Sequence, residues 1–189
     1  PIAKNFTNLS FDEEIDESSV IWTFNTRYAA SDDVMLYFTA SSGYKAPGIN
    51  ARPIRASDPV PVTFGEENSE NIEIGAKTLL AEGRLQLNLA AFRMTMENMQ
   101  QVAANPAGLG VHVRNAGELI QQGLELEAQA RPTDWLDIRA SAAYLDSEWN
   151  DFPSGTCAKN GGAPASTGPL FPNSCDFKGL PSDDSPEWK

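Results

Sequence analysis

The stretch Asn71-Ile72-Glu73-Ile74-Gly75-Ala76-Lys77-Thr78-Leu79-Leu80-Ala81-Glu82-Gly83-Arg84-Leu85-Gln86-Leu87-Asn88-Leu89-Ala90-Ala91 alternates in polarity with period two on both sides of a polar turn. Ile72, Ile74, Ala76 and Leu80 fall on one face, with Asn71, Glu73, Gly75 and Lys77 on the other. After Ala81-Glu82-Gly83-Arg84 the pattern resumes, Leu85, Leu87, Leu89 and Ala91 against Arg84, Gln86, Asn88 and Ala90. Successive side chains of a strand point to opposite faces, so this is a β-hairpin with one greasy and one polar face.

Two more hairpins flank it. Val20, Trp22, Phe24, Thr26 and Tyr28 share a face, as do Val34, Leu36, Phe38 and Ala40 beyond the turn Ser31-Asp32-Asp33. Around Pro132-Thr133-Asp134, Leu124, Leu126 and Ala128 alternate with Glu125, Glu127 and Gln129, and Leu136, Ile138, Ala140, Ala142 and Tyr144 with Asp137, Arg139, Ser141 and Ala143. Those glutamates have no place in a dry sandwich core. Six strands are expected near 19–30, 34–44, 67–80, 84–98, 114–130 and 135–148.

The connections decide between architectures. Short turns within hairpins alternate strictly with long, turn-rich stretches at about Lys45 to Glu66, Met99 to Arg114 and Trp149 onward. An outer-membrane barrel has this asymmetry, with short periplasmic turns and long extracellular loops, and a soluble meander has no reason for it. The recurrence every ~50 residues invites a propeller, but each interval holds two long strands where a blade needs four. Trp22, Tyr44 and Tyr144 fall on the greasy parity near the long-loop end, where an aromatic girdle belongs, and Tyr28 near the short-turn end. Arg93 also falls on that parity. Counted from Arg84 at roughly 3.3 Å per residue and tilted about 45°, it sits some 20 Å up a band about 25 Å tall, where the cost of a charge falls toward zero.

Composition is consistent with this. The chain has 189 residues, 41% hydrophobic, with 26 Asp and Glu against 14 Lys and Arg for a net charge of −12. That sign is wrong for a phosphate-backbone binder, so no nucleic-acid partner is expected. No apolar run approaches the ~18 residues of a spanning helix, while a mean hydropathy of −0.36 is compatible with barrel strands that alternate lipid-facing and lumen-facing residues. Pro1-Ile2-Ala3-Lys4-Asn5-Phe6 has neither the charged start nor the apolar stretch of a signal peptide, so the chain is expected to start after any export signal.

Catalytic chemistry finds little support. The single histidine, His112, lies in an expected loop with no Cys or second His beside it and is read as a surface residue. Gly108-Leu109-Gly110 lacks the strand and helix of a phosphate cradle. Met94, Met96 and Met99 suit gap filling better than soft-metal capture. Asp12-Glu13-Glu14-Ile15-Asp16-Glu17 lacks the ligand spacing of a calcium loop and reads as a solvated acidic segment. Asn5-Phe6-Thr7 and Asn8-Leu9-Ser10 match a permissive glycosylation pattern that carries no weight here. No cofactor and no metal site is expected. Tyr44, Lys45, Arg52 and Arg55 form the one cationic stretch, in an expected extracellular loop, and would face an anionic ligand or merely offset nearby carboxylates.

Cys157 and Cys175 bracket 17 residues rich in Gly, Pro, Ser and Ala. Such a segment cannot build a core, and a loop disulfide closing it would remove roughly 3 kcal/mol of chain entropy from the open state. The pairing implies an oxidising compartment; two free thiols in a cytosolic loop are the alternative.

Three pieces occur in a specific order. Tyr37-Phe38-Thr39-Ala40-Ser41-Ser42-Gly43-Tyr44-Lys45-Ala46-Pro47-Gly48-Ile49-Asn50 resembles the strand-to-loop signature of TonB-dependent outer-membrane receptors. Glu67-Asn68-Ser69-Glu70-Asn71-Ile72-Glu73-Ile74-Gly75-Ala76-Lys77 is similar to the family's next strand, and Arg114-Asn115-Ala116-Gly117 through Gly123-Leu124-Glu125-Leu126-Glu127 to its Asn-x-Gly, Gly-x-Glu-x-Glu strand. The resemblance runs from about Ser19 to Trp149. It implies an all-β fold, an antiparallel up-and-down transmembrane β-barrel segment in the bacterial outer membrane. It also implies TonB-energised uptake of a scarce nutrient such as a ferric siderophore or other chelate, and no enzymatic activity. The family's barrel is closed by an N-terminal plug through which the TonB complex acts. No plug or final aromatic-ended strand is seen, so residues 1–189 are expected to be an internal piece of the barrel domain. Six strands cannot close a barrel, and an open edge is not tolerated in lipid. A secreted or surface β-domain for adhesion or carbohydrate binding is the alternative class.

Overall fold

The computed structural model describes residues 14–50, 61–104, 111–152, 155–156, 174–182 and 187–188. Its strands are β1 (Thr23–Ser31), β2 (Val34–Lys45), β3 (Gly48–Ile49), β4 (Thr63–Phe64), β5 (Glu67–Leu80), β6 (Leu85–Glu97), β7 (Gln100–Ala104), β8 (Val111–Asn115), β9 (Glu118–Thr133), β10 (Leu136–Asp151), β11 (Gly155–Thr156) and β12 (Ser174–Cys175). The six long strands form one sheet in the order β1-β2-β5-β6-β9-β10, antiparallel throughout. They are the six strands expected from the period-two pattern, and each short turn lies at the same end.

Register places the greasy residues in continuous rows. Tyr28, Leu36, Ala76, Leu89, Leu126 and Ala142 are successive cross-strand partners, and so are Thr26, Phe38, Ile74, Ala91, Leu124 and Tyr144. Burial runs opposite to that of a soluble sheet. Ile72 and Ile74 are 54% and 60% exposed, whereas Glu73 between them is half-buried on the other face. An apolar outer face with a polar inner face is what a strand between lipid and a wet lumen requires. A soluble β-domain would leave those rows uncovered.

The structure corrects four details. The fifth strand, expected from residue 114, breaks at Ala116-Gly117, and Val111–Asn115 pairs instead with Gln100–Ala104 as a hairpin inside the expected loop. His112 therefore lies on β8 and is buried, 6% exposed, rather than on the surface. The third turn falls at Asp134-Trp135, two residues later than its proline suggests. Pro132 is accommodated because the β9–β10 register shifts there, where a strand spares a ladder donor. Beyond Trp149 the chain is not all loop. Leu145 N donates to Glu187 O (2.8 Å), Trp149 N to Leu180 O (3.0 Å) and Ser182 N to Ser147 O (2.9 Å), so the C-terminal segment lines the edge of β10.

The turn after β5 shows how tightly the ends are closed. Ala81, Glu82 and Gly83 all have positive φ (52°, 58° and 83°), reversing the chain in four residues between the partners Leu80 and Leu85.

Candidate functional site: the inner wall and mouth

Near the short turns the inner face is a hydrogen-bonded polar wall. Tyr37 Oη donates to Glu73 Oε1 (2.7 Å), Asn25 Nδ2 to Thr39 Oγ1 (2.7 Å) and Asn88 Nδ2 to Glu127 Oε2 (3.0 Å). Lys77 Nζ lies 5.7 Å from the centre of the Tyr37 ring. Asn25, Arg27, Tyr37, Thr39, Glu73 and Lys77 line a shallow concavity of about 230 Å³. The wall depends on glycine opposite each aromatic. A Cβ on Gly75 would overlap the Tyr37 ring and one on Gly123 the Phe92 ring, so the bare backbone lets each ring lie across the neighbouring strand.

At the long-loop end the inner face turns apolar and is covered. Met96, Leu119 and Trp149 are cross-strand neighbours, and Ala116, Phe152, Met99 and Phe177 pack on them. The Trp149 and Phe152 rings are 4.6 Å apart, and those of Phe152 and Phe177 5.4 Å. The guanidinium of Arg114, 7% exposed, lies 5.6 Å from the Phe152 ring centre, a cation–π contact. Burial draws its pKa below the ordinary arginine value. Cys175, on β12, is also buried, 3% exposed, and the partner strand β11 ends at Thr156.

Side-chain amides fasten the loops to this mouth. Asn50 acts as an extra strand residue, its Nδ2 donating to Val113 O (2.8 Å) and its Oδ1 accepting from Val113 N (2.7 Å). Asn115 Oδ1 accepts from Gly65 N (2.6 Å), while its Nδ2 faces the carbonyls of Gly65 (3.0 Å), Glu66 (3.2 Å) and Asn98 (2.7 Å). Gln100 donates its backbone N–H to Glu67 Oε2 (2.6 Å) and its Nε2 to Ala46 O (2.8 Å) and Gly65 O (3.0 Å).

The expected cationic stretch is divided by the pleat. Tyr44 lies on the outer parity opposite Asn68, and Lys45 on the inner parity opposite Glu67, with an Nζ to Oε2 distance of 3.6 Å. The Lys45 charge is thus offset by a carboxylate whose side chain is only 17% exposed. Arg52, Arg55, Cys157, Gly108-Leu109-Gly110 and Asp12-Glu13 lie outside the described residues. Among the described residues no group of three or more His, Cys, Asp or Glu side chains gathers as a metal site. Sequence reasoning missed Asn50, Gln100 and Asn115 as loop fasteners, although Asn50 and Asn115 stand inside the first and third of the quoted pieces.

Residues 3–189 match the family described as TonB dependent receptor-like, beta-barrel, and the chain belongs to it. It is therefore a segment of an outer-membrane barrel of a family of transport receptors, not enzymes. The metal-pseudopaline receptor CntO of Pseudomonas aeruginosa is 32% identical over 121 residues, 64% of this chain and 16% of that protein. Among solved structures, the ferric yersiniabactin uptake receptor FyuA of Yersinia pestis superposes with a TM-score of 0.54 at 27% identity, over 67% of this chain and 18% of FyuA. The ferric-catecholate import receptor Fiu of E. coli shares the fold at 20% identity, with a TM-score of 0.53 over 89% of this chain and 21% of Fiu. The alcaligin outer membrane receptor FauA of Bordetella pertussis does so at 18% identity and a TM-score of 0.51, over 89% of this chain and 24% of FauA. The chain thus spans about a sixth to a quarter of the proteins it resembles.

Proposed function

We propose that the chain is the wall of a larger receptor that imports a metal chelate of the siderophore type, with energy delivered by TonB through a plug encoded elsewhere in the same polypeptide. The observation that carries this reading is the joint likeness to CntO and FyuA, one a metal-pseudopaline and the other a ferric yersiniabactin receptor, across strands that present a polar wall inside and fastened loops at one end. In this reading residues 1–189 lie within the barrel domain. The mouth takes the chelate, and Arg52 and Arg55 supply positive charge for it, with Lys45, already paired with Glu67, beside the entrance and Tyr44 at the outer rim. Metal arrives as cargo.

In the same reading Cys157 and Cys175 form a disulfide that keeps the loop after Trp149 compact at the barrel mouth. It is supported by the pairing of Thr156 with Ser174 and Gly155 with Cys175, and by the absence of a free thiol among the described residues.

The test is uptake by cells producing the full-length receptor. Radiolabelled metal, offered as its pseudopaline, yersiniabactin or catecholate chelate, should accumulate for one of them and stop when TonB is removed. Accumulation that is unchanged without the receptor or without TonB overturns the reading.

A further inference from the structure

On the outer face of β6, β9 and β10 the apolar rows stop at a hydrogen-bonded polar row, which continues as the apolar Ile72, Ala40 and Phe24 on β5, β2 and β1. Ile72, Arg93, Gln122 and Asp146 are successive cross-strand partners on β5, β6, β9 and β10. Arg93 Nη1 donates to Gln122 Oε1 (3.3 Å), and Gln122 Nε2 donates to Asp146 Oδ2 (3.0 Å). One row toward the short turns stand Ile74, Ala91, Leu124 and Tyr144; one row toward the mouth stand Glu70, Thr95, Ile120 and Glu148. On β6, β9 and β10 the row marks the upper limit of the hydrocarbon-facing surface. Tyr144, on that last apolar row, packs against Trp188 with ring centres 4.9 Å apart and planes tilted by 53°, which suits the aromatic girdle of a membrane interface.

Arg93 is singular in this position. Arg27, Lys45, Lys77 and Arg139 all take the inner parity of their strands, and Arg131 pairs with Asp137 (3.5 Å) beside the inner-face Gln129 and Arg139, so among the described residues of the six long strands Arg93 is the cation turned to the bilayer. Its side chain is exposed, and the ladder engages one of the five N–H donors of a guanidinium. Gln122, itself fixed by Asp146, holds it from one side, which orients the remaining fork and limits the entropy lost on engaging a further acceptor. Acceptors at the height where hydrocarbon ends are lipid phosphates, whose geometry the fork matches in bidentate fashion. Glu70 and Glu148, one row up, carry the sign of a phosphate, so Arg93 is the one group of the two rows that attracts it, and the phosphate must approach from the hydrocarbon side.

We propose that Arg93, oriented by Gln122 and Asp146, docks the phosphate headgroup of an outer-leaflet lipid. The inference rests on the outer-membrane placement and not on the chelate reading, so either can fail alone.

The experiment uses the full-length receptor in nanodiscs of lipid A mixed into phosphatidylcholine, with lipid A retained after detergent extraction counted by native mass spectrometry. Arg93→Gln should lower retention several-fold with unchanged heat-modifiable gel mobility, Arg93→Lys should keep part of it, and Asp146→Asn should raise it by removing a competing carboxylate. Equal retention by wild type and Arg93→Gln overturns the proposal, as does a fall with Asp146→Asn equal to that of Arg93→Gln, which would make the ladder a self-contained structural element. If Arg93→Gln fails to fold, the Lys and Asn variants decide by their opposite signs.

Discussion

Replacing Asn115 by alanine in the full-length receptor isolates the contribution of side-chain fastening at the mouth. The amide group offers two N–H donors, shared among the carbonyls of Gly65, Glu66 and Asn98, and one oxygen that accepts from Gly65 N. At most three bonds' worth of energy is therefore lost. At about 1 kcal/mol net per bond the sum is about 3 kcal/mol, and because most of these contacts are reachable by water, about 1.5 to 3 kcal/mol is the expected range. The long strands do not depend on Asn115, so the loss is local. Hydrogen exchange should show the Gly65 amide opening roughly 10- to 100-fold faster, in line with ~1.4 kcal/mol per decade. Peptides from β5, β6, β9 and β10 should exchange as before. Asn115→Asp keeps the acceptor for Gly65 N but turns a carboxylate toward three carbonyls, so it should open the loop at least as much. Unchanged exchange at Gly65 in the alanine variant, or loss of protection throughout the sheet, would refute the assignment of a local lock.

Three further outcomes follow from the same geometry. Gly75→Val should destabilise the barrel by about 1 to 3 kcal/mol through overlap with the Tyr37 ring, measured by urea unfolding from vesicles, and Tyr37→Ala in the same chain should recover part of it. Leu89→Arg, two rows below Arg93 and near the middle of the hydrocarbon band, should cost about 2 to 4 kcal/mol and reduce the heat-modifiable form on gels, while Arg93→Ile should not. A thiol label applied to folded, unreduced receptor should modify neither Cys157 nor Cys175; quantitative labelling of both would remove the proposed bridge.

What was legible in the sequence was whatever repeats with period two. The hairpin around Ala81–Arg84 shows its faces because Ile72, Ile74, Leu87 and Leu89 sit at fixed spacing, and tilt alone places Arg93 at the apolar limit. The β7–β8 hairpin was hidden because its pairing is secured from outside, by Asn50 and Asn115 reaching across 63 and 50 residues, and no local periodicity announces such contacts. Its formation is also what buries His112, which sequence context had placed in a loop. The proline at 132 misplaced a turn because a register shift absorbs it. Of the candidate site, the charges near Lys45 were visible, but not that Glu67 lies beside it or that the pleat sends Tyr44 to the other side.

The unbroken meander of the long strands bears on how such a wall can change over evolutionary time. Each of them pairs only with its predecessor and successor among them, and each hairpin returns the chain to the mouth. A duplication or deletion that removes one hairpin leaves the flanking edges still antiparallel, with their outer rows aligned. Circumference can therefore change in steps of two strands without rewriting the rest, which accords with the even strand numbers of bacterial outer-membrane barrels. The mouth has no such freedom. Asn50, Asn115 and Gln100 bind successive loops to one another, so a gained or lost hairpin would have to renegotiate its fastenings there, and the loop network resists the change in circumference that the strand ladder permits.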